Sequence, residues 1–186
     1  MTHPAAPESG AWLREARTEI ERRRIEVGCV SGGGTPHAFH IHETGVFTEL
    51  RAGTYVLGDR RLVAEDVMSL EDTALRVVST VVSCPTQDRA ILDAGSKTLS
   101  SDILPGIEDA AYGLIVEYPH AVLSNLSEEH GVVDVSGCKR KPDLGEIITI
   151  VPNHACAAIN LHDRVALHRL ETNVELADVP GRGLVQ

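Results

Sequence analysis

Nowhere does this 186-residue chain carry the long apolar run, roughly 18 residues, that a membrane-spanning helix needs. Its first residues, MTHPAAPESGAWLREARTEIERRR, also lack an apolar stretch of secretion-signal length. A cytoplasmic protein is expected. Positive charge is scarce as well: 17 Lys and Arg stand against 27 Asp and Glu, a formal net charge of −10. Nucleic acids and anionic membranes are bound by clustered cations, so neither is an expected partner. The one basic run, Lys139-Arg140-Lys141, is short, is followed by Pro142, and reads as a solvated turn. Cysteines are few and scattered, at 29, 84, 138 and 156. In a reducing compartment such spacing favours buried thiols or metal ligands over a disulfide framework. No internal repeat or low-complexity segment is present.

What is there divides near residue 45. Ser9 is a candidate N-cap, and Trp12, Ala16 and Ile20 follow at four-residue spacing with Leu13 beside them. That pattern predicts one amphipathic helix ending near Arg24. A strand is expected over EVGCV, 26–30, running directly into SGGGTPH. From Val46 the chain becomes β-rich: VFTEL, TYVL, ALRVVSTVVS, RAILD, GLIVEY, AVLSN, GVVDV, EIITIV and RVALHRL are separated by Gly, Pro, Asp or Asn. Many short strands with turn signals between them predict a mainly β fold, an antiparallel barrel or sandwich over 46–186. Residues 1–45 supply one helix and one strand, which cannot bury a face alone.

Two segments could carry chemistry. In Ser31-Gly32-Gly33-Gly34-Thr35-Pro36, at the end of the expected strand, successive glycines let backbone N–H groups converge on an anion, and Ser31 and Thr35 add hydroxyls. The loop is either a phosphate grip or a flexible turn, and without a Gly-Lys-Ser/Thr ending it is not a nucleoside triphosphate loop. In VPNHACAAINLHD, 151–163, His154 and Cys156 lie two apart, and alternation along a strand would put both on one face. Zinc accepts imidazole and thiolate at roughly 2.0 to 2.3 Å, and His162 and Asp163 are further potential ligands. The bland alternative is a core histidine and a buried thiol. The polar loops DAGSKTLSSD, 93–102, and SEEHG, 127–131, read as turns. Lys97 could form a Schiff base, but nothing near it in sequence suggests desolvation.

In order along the chain, VSGGGTP, TELRAGTYV, DAGSKTLSSD, SEEHG, VPNHACAAINLHD and the closing GRG resemble the carboxyl-terminal part of the D-threonine aldolase and D-serine dehydratase family. These are metal-activated, pyridoxal-phosphate-dependent lyases of the alanine-racemase fold type. The resemblance implies that Ser31, Gly32, Gly33, Gly34 and Thr35 form the phosphate-binding loop ending a (β/α)8 barrel, of which 1–45 is a remnant. It implies a β-domain from 46 onward, in which His154 and Cys156 hold the activating metal. The thiolate, where the aldolases typically have a carboxylate, is closer to the dehydratase pattern and favours zinc over manganese. His37 departs from the family, which commonly has a small residue after the proline.

The resemblance further implies a D-β-hydroxy amino acid as substrate, with aldol cleavage or dehydration selected by barrel groups. A barrel of this type takes about 250 residues, and the family's Schiff-base lysine has no counterpart here. The chain by itself is therefore expected to be inactive, and to form a homodimer or a complex with a barrel-domain chain. The rival reading is a stand-alone metal-binding or interaction module that has lost catalysis. Retention of both the phosphate loop and the ligand pair favours the lyase.

Overall fold

In the computed structural model, residues 5–104, 111–168 and 174–184 are described. They belong to two compact units, Met1–Val56 with Leu62–Ser69, and Leu57–Arg61 with Leu70–Gln186.

The first unit opens with helix α1, Ala5–Arg22. It starts ahead of Ser9, so the expected N-cap lies inside the helix. Pro7 falls in the first turn, where its missing N–H breaks no intrahelical bond. Arg17 pairs with Glu21 at 2.9 Å and Arg23 with Glu19 at 3.2 Å, both at helical spacing. The helix stops two residues before Arg24, whose φ of 63° is left-handed and turns the chain away. Trp12 and Ile20 of the predicted apolar face are solvent-exposed.

The expected strand at 26–30 does not form. Its partner segment supports only a two-residue parallel ladder, β1 (Ser31–Gly32) with β2 (Glu49–Leu50). Strand geometry without a ladder leaves backbone groups to water, and 25–30 stay irregular apart from Val30, whose carbonyl accepts from Thr48 and Glu49. VFTEL shrinks to β2. The expected strand TYVL is instead a 3-10 turn at Thr54–Val56, where the Tyr55 N–H donates to the Thr35 hydroxyl at 3.1 Å. A distant hydroxyl, rather than a neighbouring strand, thus takes the Tyr55 N–H, and tertiary context overrides β-propensity. A short helix α2, Arg60–Ala64, spans the sequence boundary between the units.

The second unit is the barrel. Strands β3 (Val77–Thr86) and β4 (Arg89–Leu92) precede the one-turn helix α3 (Ser96–Leu99). Strands β5 (Gly113–Ile115), β6 (Val122–Leu126), β7 (Gly131–Asp134) and β8 (Ile147–Pro152) follow. They form one antiparallel sheet in the order β5-β8-β3-β4-β7-β6. The Tyr112 N–H donates to the Leu123 carbonyl at 3.1 Å, drawing the first and last strands together. The architecture is thus mainly β, a nearly closed antiparallel barrel. Val81, Leu92, Ile115, Leu123, Val133, Ile148 and Ile150 are all at most 2% exposed and fill it. Truncating such a residue to Ala costs about 2 to 5 kcal/mol.

After β8 come helix α4 (Ala155–Ile159) and the antiparallel pair β9 (Arg164–Leu167) with β10 (Glu175–Asp178). The end of the predicted strand RVALHRL, at 169–170, lies outside the described residues. β10 carries no run of β-branched residues and was not expected.

A polar clasp holds the loop between β7 and β8. The hydroxyl of buried Tyr118 lies 2.8 and 2.9 Å from the two carboxylate oxygens of Glu146. Arg140 donates to Glu146 at 2.7 Å and stacks 4.7 Å from the Tyr118 ring. The guanidinium holds the Glu146 carboxyl down at about 2, and burial pushes the Tyr118 phenol up.

Candidate metal centre

Strand β8 ends at Pro152, and the next four residues build the site. Asn153 is fully buried. His154 is extended, with φ −139° and ψ 106°, and caps α4, while Cys156 sits in that helix's first turn. The expected placement of both side chains on one strand face is therefore corrected. Ala155-Cys156-Ala157-Ala158 favours helix, and the Asp59 carboxylate accepts the Ala155 N–H at 3.0 Å, satisfying one of the helix's first amide groups. His154 and Cys156 are both exposed, so neither is the core residue of the bland reading.

The imidazole is not left to rotate. Its Nδ1 donates to the Asp102 carboxylate at 2.7 Å. Asp102 lies in the segment after α3, beyond Ser100, whose φ of 67° and ψ of 177° form a conformation normally reserved for glycine. The Asn153 amide fixes this loop from behind, donating to the carbonyls of Asp102 at 2.8 Å and Ala111 at 2.6 Å. With Nδ1 committed, Nε2 is the nitrogen left to face a cation, and Cys156, two residues on, is likewise exposed. Imidazole nitrogen and thiolate sulfur suit zinc, and a carboxylate behind the imidazole is the usual support for such a ligand.

The two further candidates are engaged elsewhere. His162 donates through Nε2 to the Thr98 carbonyl at 3.1 Å, and Asp163 pairs with Arg182. Among the described residues no group of three or more His, Cys, Asp or Glu side chains is placed to hold a metal. None of the four cysteines is in a disulfide. Lys97 is exposed and ion-paired with Glu129 at 2.7 Å and Glu128 at 3.0 Å. Those carboxylates raise its pKa, the opposite of what a lysine poised for Schiff-base formation needs. The pairing arises because the two polar loops dock on each other through Ser96 N–H to Ser127 and Lys97 N–H to Glu128.

The glycine-rich loop lies in the first unit. Gly33 has a φ of 73°, and a β-carbon there would lie 2.4 Å from Ile41. The Thr35 hydroxyl is buried and accepts from Tyr55. Ser31 is less available than its sequence position suggests: it donates to the Glu49 carboxylate and accepts from Arg51 at 2.8 Å. A carboxylate opposes a bound phosphate and a guanidinium attracts it, so Arg51 is the better anion ligand of the two neighbours. His37 closes the turn after the loop, donating its N–H to Gly34 at 2.9 Å.

Sequence reasoning missed Asp102, Asn153, Asp59 and Arg51. Asp102 was visible only as the last residue of a polar loop, and 52 residues of chain separate it from His154.

A nearly closed antiparallel barrel, bearing a carboxylate-backed imidazole and a thiol on one exposed turn, defines a mainly β domain with a candidate metal centre. Residues 74–168 match the family model described as "Putative serine dehydratase domain". The chain belongs to that family, within the D-threonine aldolase and D-serine dehydratase group, and corresponds to its carboxyl-terminal part. A D-threonine aldolase of Arthrobacter is 35% identical over 165 residues, covering 87% of this chain and 42% of the relative. An uncharacterized protein of Mycobacterium tuberculosis is 34% identical over 134 residues, which make up 69% of this chain and 98% of that one. Among solved structures, D-threonine aldolase from Filomicrobium marinum superposes with a TM-score of 0.76 at 28% identity, covering 97% of this chain and 48% of that one. D-threo-3-hydroxyaspartate dehydratase has been solved with a histidine replaced by alanine and with a cysteine two positions further on replaced by alanine, the latter in a metal-free form. The cysteine variant has a TM-score of 0.76 at 27% identity, covering 92% of this chain and 51% of that one. The chain spans less than half the length of the aldolase relative.

Proposed function

We propose that this chain is the metal-binding, carboxyl-terminal part of a lyase that acts on D-β-hydroxy amino acids with a divalent metal, zinc in the first place, and pyridoxal phosphate. The observation that carries the reading is the turn 153–156. It presents an imidazole fixed through Nδ1 by Asp102 and a thiol two residues on, the spacing at which the dehydratase relative has been altered to alanine.

The residues here have definite tasks. His154 Nε2 and Cys156 Sγ would hold the cation. Asp102, Asn153 and Asp59 keep the turn in place. The backbone of Gly33, Gly34 and Thr35, with Arg51, receives a phosphate group. When bound, the metal supplies Lewis acidity toward a β-hydroxyl and the pyridoxal ring an electron sink. The described chain carries no desolvated lysine in a matching position, so the reaction requires a barrel-bearing polypeptide. The expected assembly is a homodimer or a complex with a barrel-domain chain.

Metal analysis of the purified protein tests the first part: one divalent ion per chain is expected, and none in Cys156→Ala. Equal metal in the two counts against the thiolate. For the second part, the metal-loaded chain with pyridoxal phosphate should release neither aldehyde nor ammonia from D-threonine or D-serine. It should do so once a barrel half bearing the family's lysine is added. Turnover by the chain alone would make it a complete enzyme and overturn the partial-lyase reading.

A further inference from the structure

The two sides of His154 are fixed by different parts of the chain. Behind it, Asn153 has no exposed surface, and its amide ties the Asp102 backbone at 2.8 Å and the Ala111 backbone at 2.6 Å to the end of β8. Ahead of it, the Ala155 N–H is held by Asp59, a carboxylate only 1% exposed. Across from it, Asp102 accepts from Nδ1 at 2.7 Å, and the Asp102 N–H is itself within 3.3 Å of the Ser100 hydroxyl. Two buried polar side chains and one strained residue, Ser100, thus converge on the orientation of a single exposed ring. A solvated surface histidine does not need this, because an isolated exposed ion pair contributes little to stability.

We propose that Asp102 is a positioning residue: by holding His154 Nδ1 it selects the ring's Nδ1–H tautomer and its plane, so that the bare Nε2 lone pair is already aimed at the cation before the cation arrives. The inference rests on the proposal that His154 and Cys156 bind the metal. A free imidazole is biased toward the opposite tautomer, with its proton on Nε2, where a metal must displace it. A carboxylate at Nδ1 reverses that bias and makes Nε2 the stronger donor. Asn153 extends the same function by one step: it places the Asp102 backbone, and the carboxylate follows.

The test has two readouts on the full 186-residue chain. The first needs no metal. In the metal-free protein at a pH of about 8.5, where an ordinary imidazole is neutral, the ring-nitrogen chemical shifts of His154 should report a proton on Nδ1. In Asp102→Ala the proton should move to Nε2, and in Asp102→Asn, whose amide oxygen can still accept, the shift should be partial. The second readout is zinc affinity, measured by competition with a chelator. Asp102→Ala should weaken it about tenfold to a hundredfold, the range seen when the outer partner of a metal-bound histidine is removed. Asp102→Asn should fall between that variant and the unaltered protein.

An unchanged tautomer in Asp102→Ala overturns the proposal even if zinc binding weakens, because that pattern belongs to a carboxylate that ligates the cation directly. Unchanged zinc affinity in both variants also overturns it. If Asp102→Ala does not fold, the tautomer of the unaltered protein and the Asp102→Asn variant still decide. Should the unaltered chain bind no zinc, or Cys156→Ala bind it equally well, the metal reading fails. The tautomer measurement alone then decides whether Asp102 sets the His154 ring.

Discussion

Gly95 and Glu128 approach so closely that a β-carbon on residue 95 would sit 2.4 Å from the Glu128 carbonyl oxygen and 2.6 Å from the His130 nitrogen. Both neighbours are backbone and cannot swing away. Gly95 precedes the turn of α3, which leads through Ser100 to Asp102, so this contact sets where the loop under His154 begins. Gly95→Ala should destabilise the barrel unit by about 1 to 3 kcal/mol through overpacking. Denaturant unfolding measures it, and an unchanged midpoint would mean the two loops are free to separate.

Acid should loosen the clasp on the β7–β8 loop. Glu146 is held at about 2, chiefly by Arg140, against an ordinary value of 4.5. Because the folded value is the lower one, its contribution is complete above pH 4.5 and is lost as the pH falls through that value toward 2. Arg140 is largely exposed, so solvent screening keeps the contribution small. Glu146→Gln should flatten the stability profile between those pH values. A profile that stays as steep as the unaltered protein's would assign the acid sensitivity elsewhere.

His154 and His162 should differ in kind. His154→Ala should abolish metal binding, whereas His162→Ala should leave the metal content as it was and cost about 1 kcal/mol through the lost bond to Thr98. Metal analysis of both variants beside a thermal melt separates the roles. Loss of metal in His162→Ala would place it in the coordination sphere.

Pyridoxal phosphate should bind weakly or not at all to this chain, since the unit that carries the glycine-rich loop contains no lysine to anchor it covalently. Mixing the two should give no lasting visible absorption band, and borohydride should trap no adduct. A trapped adduct on Lys97, despite its pairing with Glu128 and Glu129, would refute this.

The single tryptophan reports on association. Trp12 is 77% exposed on α1, and Phe39, Tyr55 and Val56 of the same unit are also exposed. Exposed apolar side chains in such number seek a partner. Light scattering over a dilution series should show a dimer, or a complex when a barrel chain is supplied, with Trp12 shielded from quenchers in the associated form. A monodisperse 20 kDa species at every concentration, with Trp12 still accessible, would overturn the expectation of a partner.

The sequence by itself determined the barrel. RAILD, GVVDV and EIITIV are short apolar runs, rich in Val and Ile, between turn signals, and such composition is a local property that survives folding unchanged. The family was legible for a similar reason: an ordered set of short motifs is a linear pattern. Helix α1 was legible in its periodicity, though not in its start, because Pro7 fits a first turn as readily as it precedes one.

What only the tertiary structure decided was the set of contacts that make a histidine into a candidate ligand. Strand 26–30 failed because a ladder depends on its neighbour, which no local pattern reveals. The turn at 153–156 left strand geometry because Asp59, almost a hundred residues earlier, caps it. Asp102 reached His154 because Asn153 and the Gly95 contact close a loop whose sequence only announces polarity. Hydrogen bonds between distant side chains have no period and no composition, so their partners exist only once the chain is folded.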